Sequence, residues 1–300
     1  MDMPKVNIIL SAYNGEKYIE EQLQSLFAQE YPNIDIYVRD DGSTDRTVEI
    51  LEKYDRQGKI FLIRGENIGF CASFFSLLEL CGEGTYWSFC DQDDIWEKDK
   101  IKRAVAHLER HTEKEKVPLL YYSLSRMVDE NGNDLGIQEP PKGSLCFRRA
   151  LTGTFGVGFS MVINRKLRNM MLQCDPKAVH SHDWLAGAVA LGMGHVIVDK
   201  KICAQYRRLD TSVTRISLSR RIQWFLEMLK NEGDVKERNI EFSRCFYNRL
   251  PKEKRRLMNL FNRETYSFRL ALQKALYPGR WRPSLSSELA MRILMMVGKV

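Results

Sequence analysis

Three carboxylates stand within four residues at Asp91-Gln92-Asp93-Asp94, directly after the apolar run Trp87-Ser88-Phe89-Cys90. Ending a buried strand this way adds nothing to stability, because carboxylates so close repel one another. A hard divalent cation such as Mg2+ or Mn2+, which prefers oxygen ligands, would relieve that repulsion. A solvated acidic loop is the other reading of the cluster taken alone.

Further along the chain, other polar residues recur where apolar runs stop. Val6 to Ala12 ends in Tyr13-Asn14-Gly15, and Ile34 to Arg39 ends in Asp40-Asp41-Gly42-Ser43. Ile60 to Ile63 leads into Asn67-Ile68-Gly69. The dense glycines Gly153, Gly156 and Gly158 suit either close approach of backbone to a ligand or a sharp bend. His180-Ser181-His182-Asp183-Trp184 opens a helical stretch, where Asp183 is a candidate catalytic carboxylate or a first-turn acid favoured by the helix dipole. Arg207-Arg208 suits a diphosphate or a solvated surface.

The elements that must position these residues follow from periodicity. Short apolar runs of strand length alternate with amphipathic helices: Ile19, Leu23, Leu26 and Phe27; Val48, Leu51 and Tyr54; Phe70, Phe74, Leu77, Leu78 and Cys81; Ile101, Ala104, Val105 and Leu108. Asn14 and Ser43 are placed to cap the first two helices. This alternation predicts an α/β fold with a mainly parallel, Rossmann-like sheet covered by helices on both faces. Ligands of such sheets bind at the carboxyl ends of the strands, where Tyr13, Asp41 and Asp91 to Asp94 fall. Leu119 to Ser123, Val196 to Val198 and Ala204 to Tyr206 read as further strands, and Asp129 to Asn133 as a turn.

Composition excludes several classes. No Gly-x-Gly-x-x-Gly follows the first strand and no P-loop is present, which removes the dinucleotide and P-loop NTPase readings. The seven cysteines are scattered and lack a Cys-x-x-Cys pair, against a zinc site or a disulfide framework and in keeping with a reducing cytosol. Met1 to Lys5 runs into the first strand without an apolar h-region, and no run of 18 apolar residues occurs, so neither a signal peptide nor a membrane span is expected. The net charge of +7 is uneven: residues 201–300 hold 22 Lys+Arg against 9 Asp+Glu. From Ser217 the chain turns basic and helical, with stripes Leu218, Ile222, Phe225, Leu226 and Leu229, then Leu285, Leu289, Ile293 and Leu294. Packing on the body is favoured over membrane contact for both. Aromatics there fall at helical core spacing, so nucleic acid is not an expected partner.

The order Ser11-Ala12-Tyr13-Asn14, Asp40-Asp41-Gly42-Ser43-Thr44-Asp45, Asn67-Ile68-Gly69, Asp91-Gln92-Asp93-Asp94 and His182-Asp183-Trp184 resembles the family-2 glycosyltransferases of the GT-A fold, over roughly residues 4–215. The wording Phe89 to Trp96 is closest to bacterial rhamnosyltransferases of surface polysaccharide synthesis. The resemblance implies that residues 1–110 bind a nucleotide sugar and 111–215 bind the acceptor within the same domain, and charge with helical periodicity makes 216–300 a basic amphipathic helical extension. It implies a donor site of Ser11, Tyr13, Asn14, Asp41, Asn67, Asp91, Gln92, Asp94, Arg207 and Arg208, with Asp41 accepting from the pyrimidine base. Asp93 would hold a divalent cation (Mn2+ or Mg2+), Asp183 would be the general base, and Gly153, His182 and Trp184 would meet the acceptor. The implied reaction is an inverting transfer, from dTDP-L-rhamnose or alternatively a UDP-hexose, to a saccharide or lipid-linked saccharide. It would take place in the cytoplasm, with peripheral contact at the inner face of the membrane. A nucleotide-binding scaffold without chemistry is the alternative from another class. The chain departs from the family at Tyr206-Arg207-Arg208-Leu209, where many relatives carry a histidine in place of Leu209. Leucine cannot ligate a cation, which leaves Asp93, the diphosphate and water, or positive charge from Arg208.

Overall fold

The structure is a computed structural model that describes residues 3–113, 115–138, 145–208, 225–226, 229 and 234–300. Strands β1 (Val6–Ala12), β2 (Ile34–Asp40), β3 (Phe61–Arg64) and β4 (Tyr86–Cys90) pair in parallel in the order β3-β2-β1-β4. Helices α1 (Ile19–Phe27), α2 (Thr47–Arg56) and α3 (Phe70–Leu80) connect them. The strands are short; β1 and β2 are rich in branched residues and β4 in aromatic ones, and β1 and β4 are buried along nearly their whole length, as the centre of a covered parallel sheet requires.

The sheet continues through strands of mixed direction. Two-residue β5 (Ile95–Trp96) is followed by α4 (Lys100–Glu109), β6 (Leu119–Val128), β7 (Asp134–Gln138) and the short helix α5 (Phe147–Ala150). Beyond it come β8 (Met161–Asn164), α6 (Arg165–Met171), α7 (Pro176–Val179), α8 (His182–Met193) and β9 (His195–Arg207). The full order is β3-β2-β1-β4-β8-β6-β9-β5, with β7 on β6. β8 runs antiparallel to both β4 and β6, whereas β6 and β9 are parallel. The two strand-like pieces expected at 196–198 and 204–206 are one strand, broken in register opposite Leu124. Two apolar cores flank the sheet, one centred on Phe74, Phe89 and Trp184 and the other on Leu10, Leu23 and Trp96.

Two expectations about helix ends are corrected. α1 starts at Ile19 and α2 at Thr47, too far along for Asn14 or Ser43 to reach their free N–H groups, and neither helix has a side-chain cap. The two loops instead lace to each other. Asn14 N–H donates to Ser43 Oγ (2.9 Å), Thr44 N–H to Asn14 Oδ1 (2.8 Å) and Gly15 N–H to Thr47 Oγ1 (2.8 Å). Asn14 sits at φ 48°, a left-handed conformation that asparagine tolerates better than most residues. Phe70, expected on the buried face of α3, is exposed, because α3 turns Cys71, Phe74, Phe75, Leu77 and Leu78 inward.

The C-terminal segment packs α9 (Asp234–Phe246), α10 (Lys252–Met258), α11 (Phe268–Ala275) and α12 (Leu285–Met296). α12 buries Met291, Leu294 and Met295, whereas Leu285, Leu289 and Ile293 face outward, so the expected stripe is not the packed one. The helix is apolar nearly all round, and Glu288, buried against Arg292, fixes which side turns in. Of the earlier stripe, Leu218 and Ile222 lie outside the described residues, Phe225 and Leu229 pack on the core, and Leu226 is exposed.

Replacing Asn14 by alanine removes the Thr44 bond and strains the left-handed residue. It should cost about 1–2 kcal/mol in urea unfolding; a cost near zero would show that the loop lacing contributes nothing.

Candidate active site

β4 is buried along its whole length and delivers the acidic cluster at its carboxyl end. Asp91 and Asp93 are partly buried, and Asp94 is 1% exposed. Burial raises the carboxyl pKa of all three, and their mutual repulsion raises Asp91 and Asp94 further. Asp94 Oδ1 accepts from the Arg207 N–H (3.3 Å), while Oδ2 has no partner. Beneath the cluster lies Lys100, fully buried, donating to the Phe159 carbonyl (2.5 Å) and standing 3.7 Å over the Trp96 ring. Burial lowers its pKa, so its charge only partly offsets the cluster. Desolvated carboxylates with an orphaned oxygen are a donor set for a hard cation, and they fit Mn2+ or Mg2+.

Gln92 closes this loop onto the first strand. Its Oε1 accepts from Tyr13 N–H (2.8 Å) and its Nε2 donates to Tyr13 O (3.0 Å), so its amide is spent on the backbone. A Cβ at Gly15 would stand 2.4 Å from Gln92 Oε1, which accounts for the glycine there. The pair leaves the Tyr13 ring exposed at the mouth of the cleft.

Asp41 is 3% exposed and accepts from Ile68 N–H and Gly69 N–H, both at 3.0 Å, besides pairing with Arg39. Arg39 also reaches Ser73 Oγ (3.3 Å) and the Glu66 carbonyl (3.0 Å), and Ser11 donates to Ser73 (2.7 Å). The sequence did not single out Arg39, because a strand arginine reads as a surface residue until the β2 register turns it inward. Asn67 is exposed and its Oδ1 accepts from Gly69 N–H (3.2 Å).

Across the same edge, α8 presents His182, Asp183 and Trp184. Ser181 caps the helix, and Asp183 Oδ1 accepts from Ser181 Oγ and from Trp184 N–H (2.6 Å), which leaves Oδ2 without a hydrogen bond. Burial and Asp93 raise the Asp91 pKa most, and Asp183, in the first turn of α8, adds to it, so the helix end and the acidic loop lie near one another. Trp184 is 1% exposed, donates to the Ala150 carbonyl (2.7 Å) and packs in the core. The His182 ring lies 4.0 Å from Phe74 and 4.7 Å from Phe89, with neither nitrogen hydrogen-bonded. Burial pushes its pKa down to about 4, which keeps it neutral.

The glycine run bends at Phe155-Gly156 and also makes room for side chains. A Cβ would strike Arg282 at Gly153 (2.2 Å), Tyr122 at Gly156 (2.4 Å) and His182 at Gly158 (2.3 Å). Arg207 is turned from the cleft: its guanidinium bonds Glu21 (2.7 Å) and lies 4.5 Å over Tyr18, and its backbone supports Asp94. Arg208 lies 5.5 Å over Tyr206, and Leu209 is outside the described residues. Sequence spacing also gave no sign that Cys174, Glu241 and Cys245 converge within 4.8 Å, although the Arg244 guanidinium already holds Glu241.

The family model of glycosyl transferase family 2 matches residues 7–167, more than half of the chain, and the chain belongs to that family. TuaG of Bacillus subtilis (strain 168), named for teichuronic acid biosynthesis, is 26% identical over 70% of this chain and 82% of its own length. A dTDP-rhamnosyl transferase of Shigella flexneri, RfbG, is 39% identical over 32% of this chain and 35% of its own. The match likewise spans only 34% of an uncharacterized Haemophilus influenzae glycosyltransferase. In fold, residues 1–349 of S. aureus TarS in complex with UDP-GlcNAc superpose with a TM-score of 0.55 at 20% identity, over 98% of this chain and 90% of that one.

The neutral His182 yields a pH dependence with a defined sign. Its folded pKa of about 4 lies below the ordinary 6.5, so its contribution is present above pH 6.5 and lost as pH falls towards 4. His182→Phe should flatten that limb of the stability profile by about 3 kcal/mol; an unchanged limb in urea unfolding would show that the ring is protonated in place.

Proposed function

We propose that this chain is an inverting glycosyltransferase that moves a sugar from a nucleotide donor to a saccharide acceptor in bacterial surface polysaccharide synthesis, with dTDP-L-rhamnose as the donor. The observation that carries the reading is Asp183, in the first turn of α8, whose Oδ2 has no hydrogen bond among the described residues and whose charge reaches Asp91. The rhamnose assignment is supported by the likeness to RfbG and by the wording of residues 89–96.

Each residue then has a task. The exposed Tyr13 ring supplies a face for the pyrimidine, and Asp41, one of whose oxygens serves a single backbone amide, accepts from the base. Ser11, Asn14, Asn67 and Gln92 shape the same wall through their loop hydrogen bonds. Asp91 takes the nucleoside sugar and Asp94 stands by the donor sugar. A divalent cation, held by Asp93, would supply neutralisation of the leaving diphosphate. Arg207 secures Asp94 through its backbone, and Arg208 would meet the diphosphate at the same strand end. Asp183, oriented by Ser181, takes the proton from the acceptor hydroxyl as that oxygen attacks the anomeric carbon. Such a base is worth about 10²–10⁴-fold. One carboxylate suffices for a single displacement, and no covalent nucleophile is required. His182 and Gly153 border the acceptor side, and Trp184 anchors the turn that aims Asp183.

A UDP-hexose donor is the alternative within the class. Incubating the folded protein with Mn2+, a disaccharide acceptor and a panel of nucleotide sugars should give transfer with the dTDP-rhamnose arm. Asp183→Asn should lose at least about 10²-fold in rate with nucleotide binding kept. Neither transfer nor nucleotide release with any donor overturns the enzyme reading, and full activity of the variant removes Asp183 as base.

No helix of the described residues is long and apolar enough to cross a membrane. Peripheral contact is supported by two outward apolar stripes, Phe268, Leu272 and Leu276 on α11 and Leu285, Leu289 and Ile293 on α12. Exposed Arg256, Arg263, Arg269 and Arg280 lie on the same segment, a charge pattern that matches anionic lipid at about 1 kcal/mol per residue near the surface. The chain should sediment with phosphatidylserine vesicles at low salt, and Leu285→Ser with Leu289→Ser should release it. Equal sedimentation with neutral vesicles would sink the assignment.

A further inference from the structure

Where α7 packs against α9, two thiols from distant parts of the chain come together. Cys174, buried, lies between α6 and α7, and Cys245, half-buried, lies in the last turn of α9. Their sulfurs and a Glu241 oxygen all lie within 4.8 Å of one another. The segment that carries Cys174 is held in place at both ends of α7. Asp175 N–H donates to Glu241 Oε1 (2.7 Å), and His180 Nε2 bonds Glu237 Oε2 (2.6 Å). The remaining gap between the sulfurs is of the size that side-chain rotation closes.

Two thiols beside a carboxylate suit either a thiophilic cation or oxidation to a disulfide. The surroundings favour the second. Glu241 gives both oxygens to Arg244, Oε1 at 2.6 Å from Nη2 and Oε2 at 2.7 Å from Nε, so the carboxylate is already matched in charge. Arg244 Nη2 also lies 3.5 Å from Cys245 Sγ, a positive charge that opposes a cation there and favours a thiolate. In the reduced pair the Gln173 carbonyl (3.3 Å) and Glu241 Oε1 (3.5 Å) accept from the Cys245 thiol. The bond with Cys174 lowers the Cys245 pKa, and Arg244 adds to this against burial and the Glu241 charge. That same bond, with burial, raises Cys174. The more accessible sulfur is therefore the nucleophile, and the buried one stands ready to resolve it.

We propose that Cys245 and Cys174 form a redox modification site, which a hydroperoxide converts to a disulfide. The Cys245 thiolate attacks one peroxide oxygen: the S–O bond forms, the O–O bond breaks, and the departing hydroxide takes the proton that the Cys245 thiol gave up, leaving as water. The Cys174 sulfur then attacks the Cys245 sulfenic sulfur. The S–S bond forms, the S–O bond breaks, and the hydroxyl leaves with the Cys174 proton as a second water. Two thiols lose two electrons and one peroxide gains them. The disulfide ties α9 to the segment that leads into Ser181 and Asp183. The site stands whether or not the chain transfers sugars.

Peptide mapping of the native full chain under non-reducing conditions, after treatment with hydrogen peroxide, tests it. A Cys174–Cys245 cross-link within one molecule should appear, two of the seven thiols should be lost, and dithiothreitol should restore both. In Cys174→Ala, dimedone should label Cys245, because its sulfenic acid has no resolving thiol. In Cys245→Ser, dimedone labelling of Cys174 should be about ten-fold weaker or less. The map of the native chain stands even if a variant fails to fold. The proposal is overturned if that map shows no Cys174–Cys245 cross-link, or if Cys146 or another cysteine is oxidised in its place. It is equally overturned if dimedone marks Cys174 in preference to Cys245, or if the isolated chain carries one Zn2+ on the two thiols, which would make the cluster a metal site.

Discussion

Repulsion among Asp91, Asp93 and Asp94 is the constraint on which the rest of the structure depends. Three carboxylates held at one buried strand end can stay together only if the backbone around them is held from outside, and the structure holds it from three directions. Gln92 ties the loop to Tyr13, the Arg207 backbone ties Asp94 to the last strand, and Lys100 lies beneath with its charge partly suppressed by burial. A divalent cation, proposed to be held by Asp93, would turn that repulsion into attraction.

Elsewhere the same edge is built by satisfying charge rather than stranding it. Arg39 and Asp41 neutralise each other under the exposed Tyr13 ring, and Asp41 gathers the Ile68 and Gly69 amides that open α3. The lacing between the first two loops then needs no helix caps, because each loop's free N–H groups are met by the other's side chains. A wall rigid in this way can present Tyr13 and the acidic cluster with little reorganisation on binding.

Much of this was legible in the amino-acid order. The alternation of strand-length apolar runs with helical stripes determined the α/β layers, because periods of 2 and 3.6 bury different faces. The acidic cluster, Asp41, Tyr13 and Asp183 were marked by standing where apolar runs stop, and their order resembles one family, to which the chain belongs. What the chain order could not supply was direction. Whether Phe70 or Leu285 turns inward depends on which neighbour the helix meets, and whether Asn14 caps a helix depends on where that helix begins.

Only the tertiary structure decided which polar residues are spent and which are left open. Gln92 and Trp184 resemble ligand-binding residues in sequence, yet the Gln92 amide is bonded to the Tyr13 backbone and the Trp184 indole N–H to the Ala150 carbonyl, whereas Arg207 gives Nη2 to Glu21 and keeps Nε without a hydrogen bond among the described residues. Arg238 looks like a surface arginine in a basic segment, yet folding buries it over the Trp184 ring. Residue types and local spacing determined what chemistry was possible. Partner geometry, which joins residues more than a hundred positions apart, determined what remained available, because a hydrogen bond or a charge pair exists only between groups that the fold brings within a few ångströms.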